Sequence, residues 1–290
     1  MAKWTSARAR RTVPETTAEP EPDFDWSWAE EGPAWIAPTV NTSVPSIARI
    51  YDHLLGGKDN YAIDRETTSL IRQIVPDLEA LARANRDFVI RAVTVMAEAG
   101  VRQFMDLGCG IPSSPAVHEI ARSIVPDAAV AYVDNDPIVV AQARAVLDGQ
   151  PGLGAFLHDI REPSRVFRDT RMLELIDLGR PIGLVMTGVL NFVDLSIGPQ
   201  VVGRYVDRMA SGSHIAFTTT AIEHLPTGTV RQFDQLMRTA GNPIAFRTRA
   251  QVEELIDGLR LLPPGITDVS CWRTDGRPGT LRIHAGMAKR

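Results

Sequence analysis

The feature that most constrains the fold is a change of hydrophobic pattern at Gly100. Beyond it, short apolar runs alternate with segments of helical periodicity, a pattern typical of a parallel sheet whose strands are joined by crossover helices. The predicted strands are QFMDLG (103–108), AVAYVD (129–134), GAFLHD (154–159), IGLVMTG (182–188) and SHIAFTTT (213–220). Helices are predicted to begin near Ser114, Pro137, Pro163 and Pro199, and a last one around QVEELIDGL (251–259). The segments ITDVSCWR (266–273) and TLRIHAGMAK (280–289) are predicted to close the sheet edge as antiparallel strands.

Three helices are predicted before this sheet. In SIARIYDHLL (46–55) the apolar residues recur at spacings of three and four, which places them on one helical face, and Gly56 and Gly57 follow as a stop signal. The second helix is predicted in DRETTSLIRQIV (64–75) and the third in DLEALARANRDFVIRAVTVMAEAG (77–100). The predicted fold class is therefore α/β with an N-terminal helical cap.

The length of 290 residues suits one main domain with an appendage. The predicted organisation is a largely disordered tail over residues 1–43, a helical cap or lid over 44–100 and the sheet domain over 101–290. The tail carries Trp26, Trp28 and Trp35, whose indoles could dock on the domain surface or on a partner subunit. The tail is thus compatible with a homo-oligomer.

Charge and cysteine content argue against several partner classes. The net charge of −4 gives no basic face for a nucleic acid, and no apolar run approaches the ~20 residues needed to cross a bilayer. Cys109 and Cys271 are too far apart for a CxxC pair, so neither a disulfide framework nor a zinc site is predicted. These features predict a cytoplasmic protein with neither nucleic acid nor membrane as partner.

The first strand runs into a glycine turn, DLGCG, in which Gly108 and Gly110 allow the backbone to approach a ligand closely. Such a turn could equally be a tight connection between a strand and a helix. A dinucleotide loop would have a third glycine, where this chain has Ser113. Asp106 precedes the loop, and its carboxylate would repel pyrophosphate but suit a cation such as the ammonium of methionine. The loop therefore favours a nucleoside sulfonium.

Carboxylates also end the next two predicted strands. Asp134 is placed to accept hydrogen bonds from ribose hydroxyls, with Asn135 beside the adenine. Asp159 can accept a hydrogen bond from the adenine amino group, and Ile160 can cover the ring. One Asp at a strand end is more often a helix cap, but carboxylates at the carboxyl ends of three successive strands indicate a nucleoside site.

DLGCG, YVDNDP and HD together resemble the class I S-adenosylmethionine-dependent methyltransferases, which have a Rossmann-like, seven-stranded, mostly parallel sheet with an antiparallel last strand. PSIARIYDHLLGGKDNYAIDRE, followed by RANRDF, closely resembles an actinobacterial methyltransferase family first catalogued as a domain of unknown function. The likeness covers about residues 44–288, and YDHLLGGKDNYAIDRE is its most specific part.

The resemblance implies that S-adenosylmethionine is the cofactor. Its methionine part would lie on Gly108, Cys109 and Gly110, its ribose on Asp134 and its adenine on Asp159. The resemblance further implies a lid over the cofactor formed by Tyr51, Gly57, Lys58 and Asn60. Arg86 would reach the methionine carboxylate, because a guanidinium matches that group bidentately. The chain departs from the class at Pro112, where a third glycine often stands, and at His53, where the family more often has an aromatic residue.

The segment MTGVLNFVD follows the fourth strand, where this fold usually contacts the methyl acceptor. Thr187, Asn191 and Phe192 are the candidates for that rim, Thr187 also for the cofactor, and His53, His214 and His224 are candidate general bases. A lone histidine is more often structural. No histidine or carboxylate cluster indicates a metal site.

The predicted function is methyl transfer to a small-molecule acceptor, such as an aromatic or indole-containing metabolite. One alternative is a non-catalytic module that binds S-adenosylmethionine or S-adenosylhomocysteine and recruits a protein partner. The other is a nicotinamide-dependent Rossmann enzyme, which Asp106 and Ser113 disfavour.

Overall fold

The structure is a computed structural model that describes residues 41–290. The predicted tail, with Trp26, Trp28 and Trp35, lies outside the described residues except for its last three positions. The three predicted N-terminal helices are present as α1 (Ile47–Leu54), α2 (Ala62–Ile74) and α3 (Leu78–Glu98). No helix within 41–290 is long and apolar enough to cross a membrane.

The sheet and its crossover helices occupy the rest of the chain. The strands are β1 (Gln103–Leu107), β2 (Ala129–Asp134), β3 (Leu153–Leu157), β4 (Gly183–Thr187), β5 (His214–Thr220), β6 (Arg260–Leu261), β7 (Thr267–Asp268) and β8 (Ile283–Lys289). The helices are α4 (Val117–Arg122), α5 (Pro137–Leu147), α6 (Pro163–Val166), α7 (Thr170–Leu175), α8 (Gly198–Arg208), α9 (Thr227–Thr239) and α10 (Arg249–Leu255). A 3₁₀ helix, Val189–Phe192, follows β4.

The strand order is β3-β2-β1-β4-β5-β8-β6, and β7 pairs with β8 outside this path. Strands β1 to β5 are parallel, whereas β8 runs antiparallel between β5 and β6. The predicted fold class is confirmed: seven strands lie along the path and the short β7 is an eighth. All five predicted parallel strands are present, because each is an apolar run bounded by turn residues.

The antiparallel edge differs from the prediction in detail. Of ITDVSCWR only Thr267 and Asp268 are strand. The chain turns after Asp268, whose Oδ1 accepts a hydrogen bond from the Ser270 amide at 2.9 Å, and the Trp272 side chain is then fully buried. Burial of this large apolar side chain competes with continuation of the ladder.

Local capping accounts for one shifted helix start. Helix α4 begins three residues after the predicted Ser114, because Glu119 accepts hydrogen bonds from the Ala116 amide at 2.5 Å and from Ser114 Oγ at 3.0 Å. The carboxylate thus fixes the first turn later in the chain. Helices α7 and α9 and strand β6 were not predicted.

Helix α3 packs against both the sheet and the other helices of the cap. Its residues Phe88, Ala92, Val93 and Met96 are fully buried in a cluster that includes Phe104 of β1. The N-terminal half of α3 instead joins α1, α2 and α9 in a second apolar cluster that includes Ile50, Leu54, Ile71, Leu81, Phe233, Met237 and Leu281. Residues 44–100 are therefore anchored directly on the sheet through α3.

A buried ion pair joins the first two helices. Arg49 Nε lies 2.7 Å from Asp64 Oδ2, and both side chains are excluded from solvent. Asp64 also accepts hydrogen bonds from the amides of Ser46 and Tyr61, at 2.9 and 2.8 Å. With three donors on one carboxylate, the ion pair fixes the start of α1 against the start of α2.

Candidate active site

A cavity of about 720 Å³ lies at the carboxyl ends of the parallel strands, between the sheet and the helices α1 and α3. In an open α/β sheet this edge is where ligands bind, because the loops after successive strands converge there. The loops after β1, β2, β3 and β4 and the end of β5 all contribute to its wall.

The glycine loop after β1 forms part of that wall. Gly108 and Gly110 have φ angles of +71° and +64°, in the left-handed region that favours glycine. A Cβ atom on Gly108 would lie 2.2 Å from Cγ2 of Val189, whereas a Cβ on Gly110 would meet nothing within 4 Å. The loop is thus packed tightly against the turn after β4 at Gly108 and left open for a ligand at Gly110.

Asp134 is held directly behind this loop. Its Oδ2 accepts a hydrogen bond from the Gly110 amide at 3.0 Å, and its Oδ1 accepts one from the Asp136 amide at 2.9 Å. Burial raises the pKa of the Asp134 carboxyl. The cap of α5 is Asp136, which accepts from the Ile138 amide at 2.9 Å. Asp134 is therefore free of the capping role that a strand-end Asp often has.

Asp106 is a second buried carboxyl on the cavity wall. Within residues 41–290 no group donates a hydrogen bond to the Asp106 side chain, and burial raises its pKa to about 7. The positive charge of Arg86 lowers this pKa and the negative charge of Asp134 raises it further. A buried carboxylate with so little compensation gains from a cation that enters the cavity.

Arg86 of α3 reaches the same loop. Its Nη2 donates to the carbonyl oxygens of Ser113, at 3.0 Å, and of Pro115. Its Nε is buried and has no partner among the described residues. Arg86 thus anchors the glycine loop and retains donors that suit an anionic group.

Asp159, Ile160 and Asn135 line the cavity beside Asp134. The Asp159 carboxylate is bound by Arg161, whose Nε lies 2.9 Å from Oδ1 and whose Nη2 lies 2.5 Å from Oδ2. The Arg161 guanidinium lowers the pKa of Asp159. Sequence reasoning missed Arg161, although HDIRE places it only two residues after the aspartate.

The predicted lid residues divide into two groups. Tyr51 lines the cavity, and its hydroxyl donates to the Ala82 carbonyl at 3.0 Å and accepts from Asn85 Nδ2 at 2.9 Å. Gly57, Lys58 and Asn60 do not line the cavity. They form a turn after α1, so the structure does not bring them to the predicted cofactor residues.

The Asp52 side chain stabilises that turn through hydrogen bonds. Its Oδ2 accepts hydrogen bonds from the Asp59 amide and from Asn60 Nδ2, both at 2.9 Å. A Cβ atom on Gly57 would lie 1.9 Å from Asp52 Oδ1, so glycine is required at this close approach. The GGKDN motif therefore serves a local turn in this structure.

The predicted acceptor rim lines the cavity on its other side. Thr187, Asn191 and Phe192 all lie in the wall, next to Thr218 and Thr220 of β5. Asn85 of α3 accepts a hydrogen bond from Thr218 Oγ1 at 2.7 Å, and Thr218 Oγ1 accepts one from the Gly188 amide at 2.8 Å. This connection between cap and sheet was not predicted, because nothing in the local sequence pairs Asn85 with β5.

The histidine candidates lie elsewhere. None of His53, His214 and His224 lines the cavity. His214 begins β5, at the sheet edge opposite the cavity, and burial lowers its pKa. His224 lies in the turn after β5 with a φ of +75°. Within residues 41–290, no group of three His, Cys, Asp or Glu side chains is arranged to hold a metal ion.

The chain is similar to known proteins over most of its length. A family model described as S-adenosyl methyltransferase matches residues 33–290. The structure of a candidate methyltransferase from Thermobifida fusca is similar at 33% identity and a TM-score of 0.82, covering 89% of this chain and 99% of that one. A DUF574 family protein from Streptomyces avermitilis is similar at 35% identity and a TM-score of 0.81, covering 86% of this chain and 98% of that one. No protein with a curated description matches the chain.

Proposed function

The chain belongs to the S-adenosyl methyltransferase family, and from that premise we propose that it transfers the methyl group of S-adenosylmethionine to a small, uncharged aromatic acceptor. Family membership confirms the resemblance drawn from the sequence: the chain is an S-adenosylmethionine-dependent methyltransferase. The nature of the acceptor and the roles of individual residues are the proposal. The single observation that carries it is a cavity with carboxylates over one half of the sheet and uncharged side chains, both apolar and polar, over the other.

The cavity residues fit the cofactor. S-adenosylmethionine supplies an electrophilic methyl group on a positively charged sulfur. In our assignment Asp106 binds the ammonium, Arg86 the carboxylate and Asp134 the ribose hydroxyls, while Asn135, Asp159 and Ile160 surround the adenine. The support is chemical: within residues 41–290 the buried Asp106 carboxyl accepts no hydrogen bond and Arg86 Nε has no partner, and Gly110 leaves open space next to Asp134.

The acceptor is assigned to the half of the cavity over β4, β5 and β8. Methyl transfer is an in-line displacement, so the protein contributes orientation and exclusion of water more than a nucleophile of its own. Phe192, Phe233, Leu281 and Ile283 offer apolar surface there. Such a wall suits a flat, weakly polar molecule.

Calorimetric titration followed by a transfer assay tests this function. We expect S-adenosylmethionine and S-adenosylhomocysteine to bind and NAD not to compete. We also expect S-adenosylhomocysteine to form from S-adenosylmethionine when small aromatic hydroxyl, amine and indole compounds are added. Absence of binding by both sulfur nucleosides would contradict the cofactor assignment. Binding without transfer to any aromatic compound would contradict the acceptor assignment.

Arg86→Ala is expected to weaken S-adenosylmethionine binding about 10- to 100-fold, the range for loss of charge-assisted hydrogen bonds to a carboxylate. Calorimetry measures the change, and the exposed Arg83→Ala on the same helix is the matched control. 5′-Methylthioadenosine lacks the amino-acid part, so its affinity should be the same for wild type and Arg86→Ala. Equal loss for both ligands would show that the variant perturbs the glycine loop rather than a carboxylate contact.

The raised pKa of Asp106 predicts a pH dependence of cofactor binding. Below about pH 7 the carboxyl is mostly protonated, and a cationic ligand favours the ionised form. Affinity for S-adenosylmethionine should therefore rise as the pH rises, by about tenfold between roughly pH 5.5 and pH 7, and then level off. Calorimetry at constant ionic strength measures the slope, which Asp106→Asn should abolish. A slope retained in Asp106→Asn would assign the titration to another group.

A further inference from the structure

Asn191 has an amide whose orientation is fixed by the protein. It lies in the 3₁₀ helix after β4, where its backbone carbonyl accepts a hydrogen bond from the Ala245 amide at 2.7 Å. Its Oδ1 accepts a hydrogen bond from the Thr220 amide at 2.7 Å and one from Thr219 Oγ1 at 3.0 Å. Rotation of the amide by 180° would set its NH₂ group against the Thr220 N–H, so Oδ1 must face β5.

The other end of the same amide is available to a ligand. Asn191 lines the cavity, and its Nδ2 has no hydrogen-bond partner among the described residues. Nδ2 is also not among the fully enclosed polar atoms that lack a partner. The side chain therefore presents two N–H groups, in a fixed direction, on the accessible cavity wall.

The sheet order separates this amide from the charged groups. The charged side chains of Asp106, Asp134, Asp136, Asp159 and Arg161 lie in β1 and β2 or in the loops after β2 and β3, which form one half of the sheet. Arg86, the remaining charged residue of the wall, is bound to the loop after β1. Asn191 lies between β4 and β5 in the other half, where the neighbouring wall includes Phe192, Val193, Leu281 and Ile283. Thr187, Thr218 and Thr220 also line this half, so a molecule there meets an uncharged wall and a fixed amide donor.

On the basis of the proposed function, we infer that Asn191 recognises the methyl acceptor by donating a hydrogen bond from Nδ2 to an uncharged acceptor atom, such as a carbonyl oxygen or a ring nitrogen. A ligand that lacks this atom would leave the N–H groups without a partner, and such a mismatch discriminates between ligands of one shape. Asn191 thus determines specificity, and its position in the turn also orients the acceptor relative to the cofactor half.

Asn191→Asp isolates this role. The aspartate keeps an oxygen toward Thr219 and Thr220, so the anchor to β5 is retained, while the group that faces the cavity changes from a donor to an acceptor. The probes are indane, 1-indanone and 1-aminoindane, which share one skeleton and carry no polar group, a carbonyl and an ammonium. Their affinities are measured by NMR titration of both proteins saturated with S-adenosylhomocysteine.

We expect the wild type to bind 1-indanone about three- to tenfold more tightly than indane, the range for one net hydrogen bond. In Asn191→Asp this preference should vanish and 1-aminoindane should become the best of the three ligands. Equal affinity of indane and 1-indanone for the wild type, failure of both to bind, or an unchanged ranking in the variant would overturn the role of Asn191. Failure of S-adenosylhomocysteine itself to bind would instead contradict the proposed function, so the two failures are distinguishable.

Discussion

Asp134→Ala is expected to weaken S-adenosylmethionine binding by about a hundredfold to ten-thousandfold, as measured by calorimetry. In our assignment the carboxylate accepts hydrogen bonds from two ribose hydroxyls, and hydrogen bonds to a charged group contribute about 1.5–3 kcal/mol each, where 1.4 kcal/mol is a factor of ten. The variant also leaves the amides of Gly110 and Asp136 without their common acceptor. The glycine loop therefore loses its fixed position at the same time.

Asp134→Asn separates these two contributions. It retains one oxygen acceptor but not the charge or the second acceptor, so its affinity should lie between those of wild type and Asp134→Ala. Asp148→Ala, at the exposed far end of α5, is the control for a general change in charge. Thermal unfolding confirms that each variant is folded at the titration temperature. Wild-type affinity in a folded Asp134→Ala would refute the ribose assignment.

The parts of this protein that the sequence predicted are those with a local signal. Each parallel strand is an apolar run between turn residues, and Asp106, Asp134 and Asp159 lie at or close to the carboxyl ends of three such runs. Because parallel strands end at a common edge, three local patterns are enough to place three carboxylates around one cavity. Asn191 is predicted at this edge on a different ground, since its segment follows the fourth strand, where this fold usually contacts the methyl acceptor.

The parts that were missed depend on contacts between distant segments. Asn85 meets Thr218 across 133 positions of the chain, and no periodicity indicates that pair. Helix α9 follows Pro226 and contains Gly228, which weaken its local signal, and it is stabilised by burial of Phe233 and Met237 against the cap. Tertiary burial overrides weak helix propensity in such a segment.

The segment YDHLLGGKDNYAIDRE has structural contacts in addition to its predicted role over the cofactor. Its specificity for one family led to the expectation that its residues contact the cofactor. In the structure Asp52 closes a turn on Asn60, and Asp64 is the centre of a buried polar cluster, while Tyr51 alone of the predicted lid residues reaches the cavity. A motif specific to a family can therefore report how a cap folds as well as what it binds.

Arg49→Met tests this structural role of the motif. We expect the free energy of unfolding, measured by urea denaturation, to fall by about 3–5 kcal/mol, because the variant leaves Asp64 as a buried charge without its partner. The methionine keeps apolar volume next to Tyr61, over whose ring the guanidinium lies at 5.2 Å. Arg65→Met is the matched control, since Arg65 is an exposed arginine whose Nη1 donates to the Asn60 carbonyl at 3.0 Å. Its effect should stay below about 1 kcal/mol.

A second substitution identifies the cause of that loss. If the buried charge is responsible, Asp64→Asn in the Arg49→Met background should restore part of the stability, because the asparagine oxygen still accepts from the amides of Ser46 and Tyr61 without carrying a charge. If lost packing of the Arg49 side chain is responsible, the double variant should be less stable than Arg49→Met. Partial restoration would show that the unpaired charge of Asp64 causes the loss of stability in Arg49→Met. Equal losses in Arg49→Met and Arg65→Met would instead show that the ion pair adds nothing beyond an ordinary surface contact.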